Sequence, residues 1–385
     1  MLAIGLMSGT SLDGVDIALV DIKGFGIGTQ VSLKAFRTYP LSDHIVSLIK
    51  QACDREKSRV DLICSLNFEL GHVFSKMIKQ FCIDEHISSS DLSFIASHGQ
   101  TIYHISQNQS DYYPSSLQIG ESAIIAYEHN TTVVSQFRVM DIAAQGEGAP
   151  LVPYSEYILY RQKNKNVGLI NIGGISNITI LPKNCQKEDV YAFDMGPGNM
   201  MLNEACHQLY HISYDKDGMI AKKGRLIKSL FDELKSHDFL LKKPPKSTGR
   251  EEFGQFYVEQ LLNQYQHEKK NDIITTLTYF TAYCIAYHIK QYVLIPLDEI
   301  IISGGGAYNL TLIQMIRDLL KDIPVLTQED MGMSSEAKEA IAFVIMANET
   351  LHHQPSNMKS ATGAKDDVIL GNIIYPPIIN KGDKL

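Results

Sequence analysis

Between two apolar runs, Leu2–Met7 and Ile17–Val20, the chain places Ser8, Gly9, Thr10, Ser11, Asp13, Gly14 and Asp16. A plain hairpin needs only about two to five loop residues. This one is longer and mixes hydroxyls, glycines and carboxylates, a combination suited to phosphate chemistry. Glycine lets backbone N–H groups converge on an oxyanion without a Cβ in the way. The hydroxyls of Ser8, Thr10 and Ser11 add donors to phosphate oxygens. Asp13 or Asp16 suits a hydrated Mg²⁺, which takes few carboxylates and keeps most of its waters. Three later segments share this character: Asn171–Asn177, Asp194–Asn199 and Ser303–Asn309. Any one alone reads first as an ordinary loop. The first two together suit a nucleotide polyphosphate.

Individual side chains add chemistry to these turns. Asp194, in YAFDMGPGN, is expected at the carboxyl end of a strand, ahead of a turn and a helix. There it is either a base for phosphoryl transfer or the N-cap of the next helix. His98, in SHGQT, is either a ligand contact or a structural imidazole. Arg138, in SQFRVMD, either clamps a substrate carboxylate through a bidentate pair or bridges to Asp141. Glu336 is either a metal ligand or a partner of the helix dipole in the last helix.

The elements that must position these groups alternate between strands and helices, which predicts α/β sheets covered by helices. A hairpin is expected over LAIGLM and VDIALVDI, with helices over Leu41–Ala52, Val60–Phe81 and Ile273–Leu294. Strands are expected at Leu92–Thr101 and Thr131–Phe137, and a last helix capped by Ser334 or Ser335. NVGLINIGGISNITILP, from Asn166 to Pro182, repeats the opening order of strand, turn and strand, so the chain has the pattern of two duplicated halves. The clearest long loop is Leu241–Glu251.

Composition narrows the class. The 385 residues are 44% hydrophobic and 20% charged, with net charge −8, which favours two packed domains. The acidic balance argues against nucleic acid or an anionic membrane as the main partner. Cys53, Cys64, Cys82, Cys185, Cys206 and Cys284 form no CxxC pair, so they read as thiols of a reducing, cytoplasmic compartment. No signal peptide or transmembrane stretch is expected. GxxxxGK[ST] is absent, and GFGIGTQ at Gly24–Gln30 lacks the spacing of a dinucleotide motif.

Taken in order, MSGTSLDGVD, SHGQT, FRVMDIAA, GAPLVP, NIGGISNIT, FDMGPGN, PPKSTGREEF, ISGGGAYN and EAKEAIAF resemble the anhydro-N-acetylmuramic acid kinases. The resemblance runs from Met7 to Phe343 and continues in TGA…ILGNIIYP, so it covers nearly the whole chain. It implies a two-domain actin-like ATPase (ribonuclease H-like) fold of the hexokinase and actin superfamily, with duplicated halves around a nucleotide cleft. The domains expected are 1–137 plus 350–385, and 138–349. It further implies a cytoplasmic homodimer that binds ATP, Mg²⁺ and a small sugar. The activity implied is hydrolytic opening of 1,6-anhydro-N-acetylmuramic acid with phosphorylation of O6, giving N-acetylmuramic acid 6-phosphate in peptidoglycan recycling.

Position by position, the resemblance gives Gly9, Thr10, Ser11, Leu12, Asp13, Gly14, Val15 and Asp16 to the ATP phosphates. Gly173 and Gly174 form a second phosphate turn, and Gly304, Gly305, Gly306 and Asn309 face the adenosine. Asp194 is the implied base, and His98, Gln100, Thr101 and Arg138 line the sugar site. Asp13 and Glu336 are the implied metal ligands. Two departures stand out: AAQGEGAPLVP has Gln145 for a glycine and Glu147 for a glutamine, and FDMGPGN has Met195 for a threonine. The competing readings are another sugar or acid kinase of the superfamily, and an actin-like or heat-shock-type ATPase switch.

Overall fold

The computed structural model describes residues 1–10, 12, 14–105, 112–244 and 246–378. The chain packs as two compact units, Met1–Leu159 with Glu336–Leu385, and Tyr160–Ser335. The first begins with β1 (Leu2–Ser8), β2 (Val15–Lys23) and β3 (Gln30–Tyr39), then α1 (Asp43–Cys53) and α2 (Val60–Asp84). It continues through β4 (Phe94–Ile105), β5 (Ser115–Ile119), α3 (Ser122–His129), β6 (Val133–Ser135), α4 (Val139–Ala143) and α5 (Val152–Tyr160). The second unit runs β7 (Val167–Ile172), β8 (Ile175–Leu181), β9 (Tyr191–Pro197), α6 (Met200–Tyr210) and α7 (Lys228–Leu234). Next come α8 (Arg250–Phe253), α9 (Gln255–Gln264), α10 (Lys270–Tyr292), β10 (Glu299–Ser303), α11 (Leu310–Leu319) and β11 (Val325–Thr327). The chain then returns to the first unit with α12 (Lys338–Leu351), α13 (Lys359–Thr362) and β12 (Asn372–Ile374).

The two sheets repeat one plan. In the first the order is β12-β6-β4-β1-β2-β3, with β5 on β4; in the second it is β11-β10-β7-β8-β9. Each starts with an antiparallel meander, β1-β2-β3 or β7-β8-β9. Its first strand then pairs in parallel with β4 or β10, and these pair in parallel with β6 or β11. This shared order is the actin-like, ribonuclease H-like arrangement, and it makes the chain a duplicated α/β fold. The internal likeness of the opening hairpin and the Asn166–Pro182 hairpin is therefore topological as well as sequential.

Local sequence explains the elements. In α1, Ser42 Oγ accepts from Ile45 N–H while Ile45, Ile49 and Ala52 turn inward at helical spacing. In α2, Leu66, Leu70, Phe74, Ile78 and Phe81 form the buried stripe. α10 is buried on most sides, so its threonines need internal partners. Thr275, Thr276 and Thr278 donate to the carbonyls of Asn271, Asp272 and Ile274 one turn back.

Three expectations change. The packing divides the chain at 159/160 and 335/336, so 138–159 and 336–349 lie with the first unit, whereas boundaries at 137/138 and 349/350 were expected. The reason is that α12 lies on β1, β2 and β4, and Asp141 of α4 is bonded to Asn357 and Thr362. The strand expected to end at Asp194 runs on to Pro197. The last helix begins at Lys338 behind Ala337, with no side-chain cap; Ser335 N–H instead donates to Glu329.

Gly5 allows α12 its close approach to β1. A Cβ there would lie 2.0 Å from the Ala340 carbonyl oxygen and 2.8 Å from Val344 Cγ2. Backbone cannot yield as a side-chain tip can, so Gly5→Ala is expected to destabilise by about 1–3 kcal/mol. Urea unfolding would show this as a lowered midpoint, and an unchanged midpoint would contradict the packing account.

Candidate active site

In the first unit the candidate residues gather at the carboxyl ends of β1 and β4, which the parallel pairing sets side by side, with Ser8 opposite Gln100. The β1–β2 turn closes with Leu12 N–H donating to Gly9 C=O at 3.4 Å, Leu12 having φ 59°. Gly14 is fixed by space, since a Cβ would lie 2.6 Å from Thr38 Cγ2 and 2.9 Å from the Tyr39 oxygen. Thr10 is exposed and Val15 is buried as the first residue of β2. Asp16 Oδ1 accepts from Thr38 Oγ1 at 2.6 Å. Ser11 and Asp13 lie outside the described residues. Ser8, expected as a phosphate donor, gives its hydroxyl proton to Gln100 Oε1 at 2.6 Å. Its O–H thus ties β1 to β4, so Ser8 acts in the scaffold of the turn.

His98 and Arg138 form one assembly. His98 Nδ1–H donates to the Gly99 carbonyl at 2.8 Å, and Nε2 accepts from Arg138 Nε at 3.1 Å and Nη2 at 2.9 Å. A guanidinium can only donate, so this contact fixes the neutral tautomer. Burial, then the Arg138 charge, hold the imidazole at a pKa of about 3. Arg138 Nη1 donates to the Gly148 carbonyl at 2.7 Å. Asp141, the other partner considered for Arg138, is fully buried and accepts from Gly148 N–H, Asn357 Nδ2 and Thr362 Oγ1. Thr101 Oγ1 accepts from Gln118 Nε2 at 3.2 Å, and Gln100 Nε2 donates to the Thr101 carbonyl at 3.2 Å. Thus His98, Gln100, Thr101 and Arg138 come together around β4.

Glu336 is exposed just before α12. One turn on, Glu339 is open to solvent on one side yet surrounded by enough protein to raise its carboxyl above the usual range. Burial is the main cause; Asp16 adds to it, while Lys338 and Arg138 oppose it. Sequence reading missed Glu339, although its acidic pair with Glu336 in EAKEA was the available signal.

In the second unit three glycine turns converge at one end of the sheet. Gly173 and Gly174 link β7 to β8, and their carbonyls accept from Asn199, Gly198 and Met200 N–H groups at the start of α6. Asn199 Nδ2 donates to the Ile172 carbonyl at 3.2 Å. Gly304, at φ 83°, packs so closely on this turn that a Cβ would lie 2.8 Å from Asn171 Oδ1. A Cβ on Gly306 would lie 2.3 Å from Ile172 Cγ2, whereas Gly305 faces open space apart from Asn199 Nδ2 at 3.7 Å. Asn309 is buried, and its Oδ1 accepts from Leu312 N–H as the N-cap of α11. That oxygen is therefore occupied within the chain.

Asp194 is half-buried in mid-strand, paired with Asn177. It does not cap α6, whose first donors go to the Gly173–Gly174 turn. Its Oδ2 accepts from Thr248 N–H at 2.9 Å, and its N–H donates to the Lys246 carbonyl at 3.1 Å. Burial raises its carboxyl above the ordinary value, against lowering by the Thr248 bond and the Lys246 charge. A half-buried carboxylate, raised but still held by a donor, is suited to accepting a proton. Both contacts come from the Leu241–Glu251 loop, the clearest long loop of the sequence, where the PPKSTGREEF motif begins.

The departures find their places. Gln145 takes φ 66°, a left-handed conformation that explains a glycine preference there. The loop still closes, with Gln145 N–H bonded to Ile142 and Glu147 N–H to Thr362. Met195 is fully buried with Ile170 and Ile178. It therefore points away from Asp194 across the strand, and no hydroxyl beside Asp194 is lost.

A family model described as anhydro-N-acetylmuramic acid kinase matches residues 1–376. The chain belongs to the anhydro-N-acetylmuramic acid kinase family. A kinase of that name from Clostridioides difficile (strain 630) is 54% identical over 383 residues, covering 99% of this chain and 100% of the relative. One from Bacillus cereus (strain 03BB102) is 53% identical over 378 residues, covering 97% and 99%. Membership makes the chain a phosphotransferase that uses ATP and a small sugar. Among the described residues, no helix is long and apolar enough to cross a membrane.

The imidazole of His98 supplies a pH test. Its folded pKa of about 3 lies below the ordinary 6.5, so folding releases a proton between those values. The stability it contributes is complete above about pH 6.5 and declines as pH falls, by up to about 1.4 kcal/mol per unit. His98→Gln, which keeps a donor and an acceptor, is expected to flatten the stability profile between pH 4 and 6.5 relative to wild type. Parallel profiles would contradict a buried neutral ring.

Proposed function

We propose that the protein opens 1,6-anhydro-N-acetylmuramic acid with water and transfers the γ-phosphoryl group of ATP to the freed O6. The observation that carries the proposal is the Asp194 carboxylate, half-buried and oriented by Thr248 N–H, in a chain of this family. Asp194 accepts a proton from water, whose oxygen bonds to the anomeric carbon as the bond to O6 breaks. The O6 electron pair takes the γ-phosphoryl group, ADP leaves, and Asp194 returns its proton to solvent. Capture of the developing alkoxide by an adjacent phosphoryl group couples the two steps.

The remaining roles follow the groupings above. Gly9, Thr10, Leu12, Gly14, Val15 and Asp16, with Ser11 and Asp13, contact phosphates, as do Gly173 and Gly174. Gly304, Gly305, Gly306 and the Asn309 backbone face the nucleoside. Arg138 pairs with the lactyl carboxylate, held in aim by neutral His98, while Gln100 and Thr101 complete the sugar site. Mg²⁺ bound with ATP supplies charge neutralisation on the phosphates. Asp16 and Glu339, two carboxylates that feel each other's charge, fit a hydrated dication beside them, with Asp13 and Glu336 as further ligands. The family likeness also supports a cytoplasmic homodimer.

Purified protein with ATP and Mg²⁺ is expected to release ADP only when the anhydro sugar is present. The product should be one water heavier than a simple phosphoryl adduct of the sugar, and Asp194→Asn should abolish turnover. A product without the added water would indicate plain transfer to an existing hydroxyl, and sugar-independent ADP release would indicate an ATPase switch. Arg138→Met is expected to raise the sugar KM roughly ten- to hundredfold, the loss of a charged hydrogen bond, with the ATP KM unchanged. Initial rates against each substrate would measure both; an unchanged sugar KM would remove Arg138 from the site.

A further inference from the structure

We propose that Lys246 and His288 are positioning residues for Asp194: the buried imidazole anchors the lysine ammonium, and the anchored lysine fixes the loop whose backbone holds the base. This rests on the reading of Asp194 as base. His288 lies fully buried in α10. Its Nδ1–H donates to the Cys284 carbonyl at 2.6 Å, which leaves Nε2 to accept from Lys246 Nζ, also at 2.6 Å. Nζ donates again to the Phe239 carbonyl at 2.8 Å, and stands 4.2 Å and 5.1 Å from the ring centres of Phe239 and Tyr292. Two acceptors and two aromatic faces hold one ammonium. A loop lysine with no task would keep its head in water.

The backbone connects this anchor to the base. The Lys246 carbonyl receives Asp194 N–H, and two residues on Thr248 N–H reaches Asp194 Oδ2. The far side of the loop is pinned separately, by Thr248 Oγ1 on Glu252 at 2.5 Å and by Lys242 on Glu252. Lys246 is the charged group that faces Asp194, and Lys246 itself faces the Cys284 thiol, Lys242, Glu252 and Asp194. Release of the lysine would thus remove two influences that keep Asp194 ionised, the Thr248 bond and the ammonium charge.

The test uses the full chain with saturating ATP and anhydro sugar. Lys246→Met keeps the aliphatic stem and removes the ammonium. It is expected to lower kcat about ten- to hundredfold, as a misplaced catalytic group does, with the sugar KM within about twofold. The acid limb of its kcat profile should move to higher pH. His288→Leu should behave alike, and His288→Gln, whose amide oxygen still accepts from Lys246, should recover part of the rate. If His288→Leu does not fold, Lys246→Met and Lys246→Arg carry the test, with the arginine variant the more active. A folded Lys246→Met with wild-type kcat, or with lowered kcat and an unmoved acid limb, would overturn the proposal. Asp194→Asn assayed alongside separates the two readings. Its full activity rejects the base, whereas its inactivity beside an unaffected Lys246→Met rejects only the positioning role.

Discussion

Parallel pairing of the first strand of each sheet with the strand that follows a helical crossover is the constraint on which the site residues depend. β1 with β4, and β7 with β10, run the same way, so their carboxyl ends lie at the same edge. Loops that leave those ends are thereby brought together although they are far apart in sequence. In the first unit this puts the β1–β2 turn beside Gln100 and His98. In the second it puts Gly173 beside Gly304. An antiparallel pairing at either position would send one of the two loops to the opposite edge.

Within that frame the electrostatics is set by which groups are allowed to ionise. His98 is kept neutral, so Arg138 is aimed without its charge being cancelled. Asp141 spends its carboxylate on the backbone and on Asn357 and Thr362, which shapes the 145–148 loop without competing for the guanidinium. Asp194 is the reverse case: burial raises it while one backbone donor and one lysine hold it down. A carboxylate balanced in this way is held neither strongly acidic nor strongly basic by its surroundings.

The elements were legible in the sequence because they rest on local pattern. The hairpin, α1, α2 and α10 follow from alternation or helical spacing of apolar residues. The glycine turns were legible too, since few other residues fit such close approaches. What the sequence did not disclose depends on distant partners. The true end of β9 follows from pairing with β8, and the placement of 336–349 follows from packing of α12 on β1. The spent hydroxyl of Ser8 required Gln100, ninety-two positions away. Likewise, Thr248 touches Asp194 across fifty-four positions, and no spacing rule links a basic loop to that strand.

The duplicated plan also shows where the two halves have diverged, and why. Both meanders turn after their first strand, yet the first turn carries hydroxyls and carboxylates beside Gly9 and Gly14, and the second, at Gly173 and Gly174, carries no carboxylate. Glycine leaves backbone polar groups uncovered by a side chain and adds no charge. Carboxylates beside phosphate repel it unless a cation lies between them. Glu339 is raised mainly by burial, and Asp16 at the end of the first turn pushes it further. One topology therefore presents two chemically different turns, one with carboxylates and hydroxyls and one without a carboxylate. A single copy of the plan would offer only one of these.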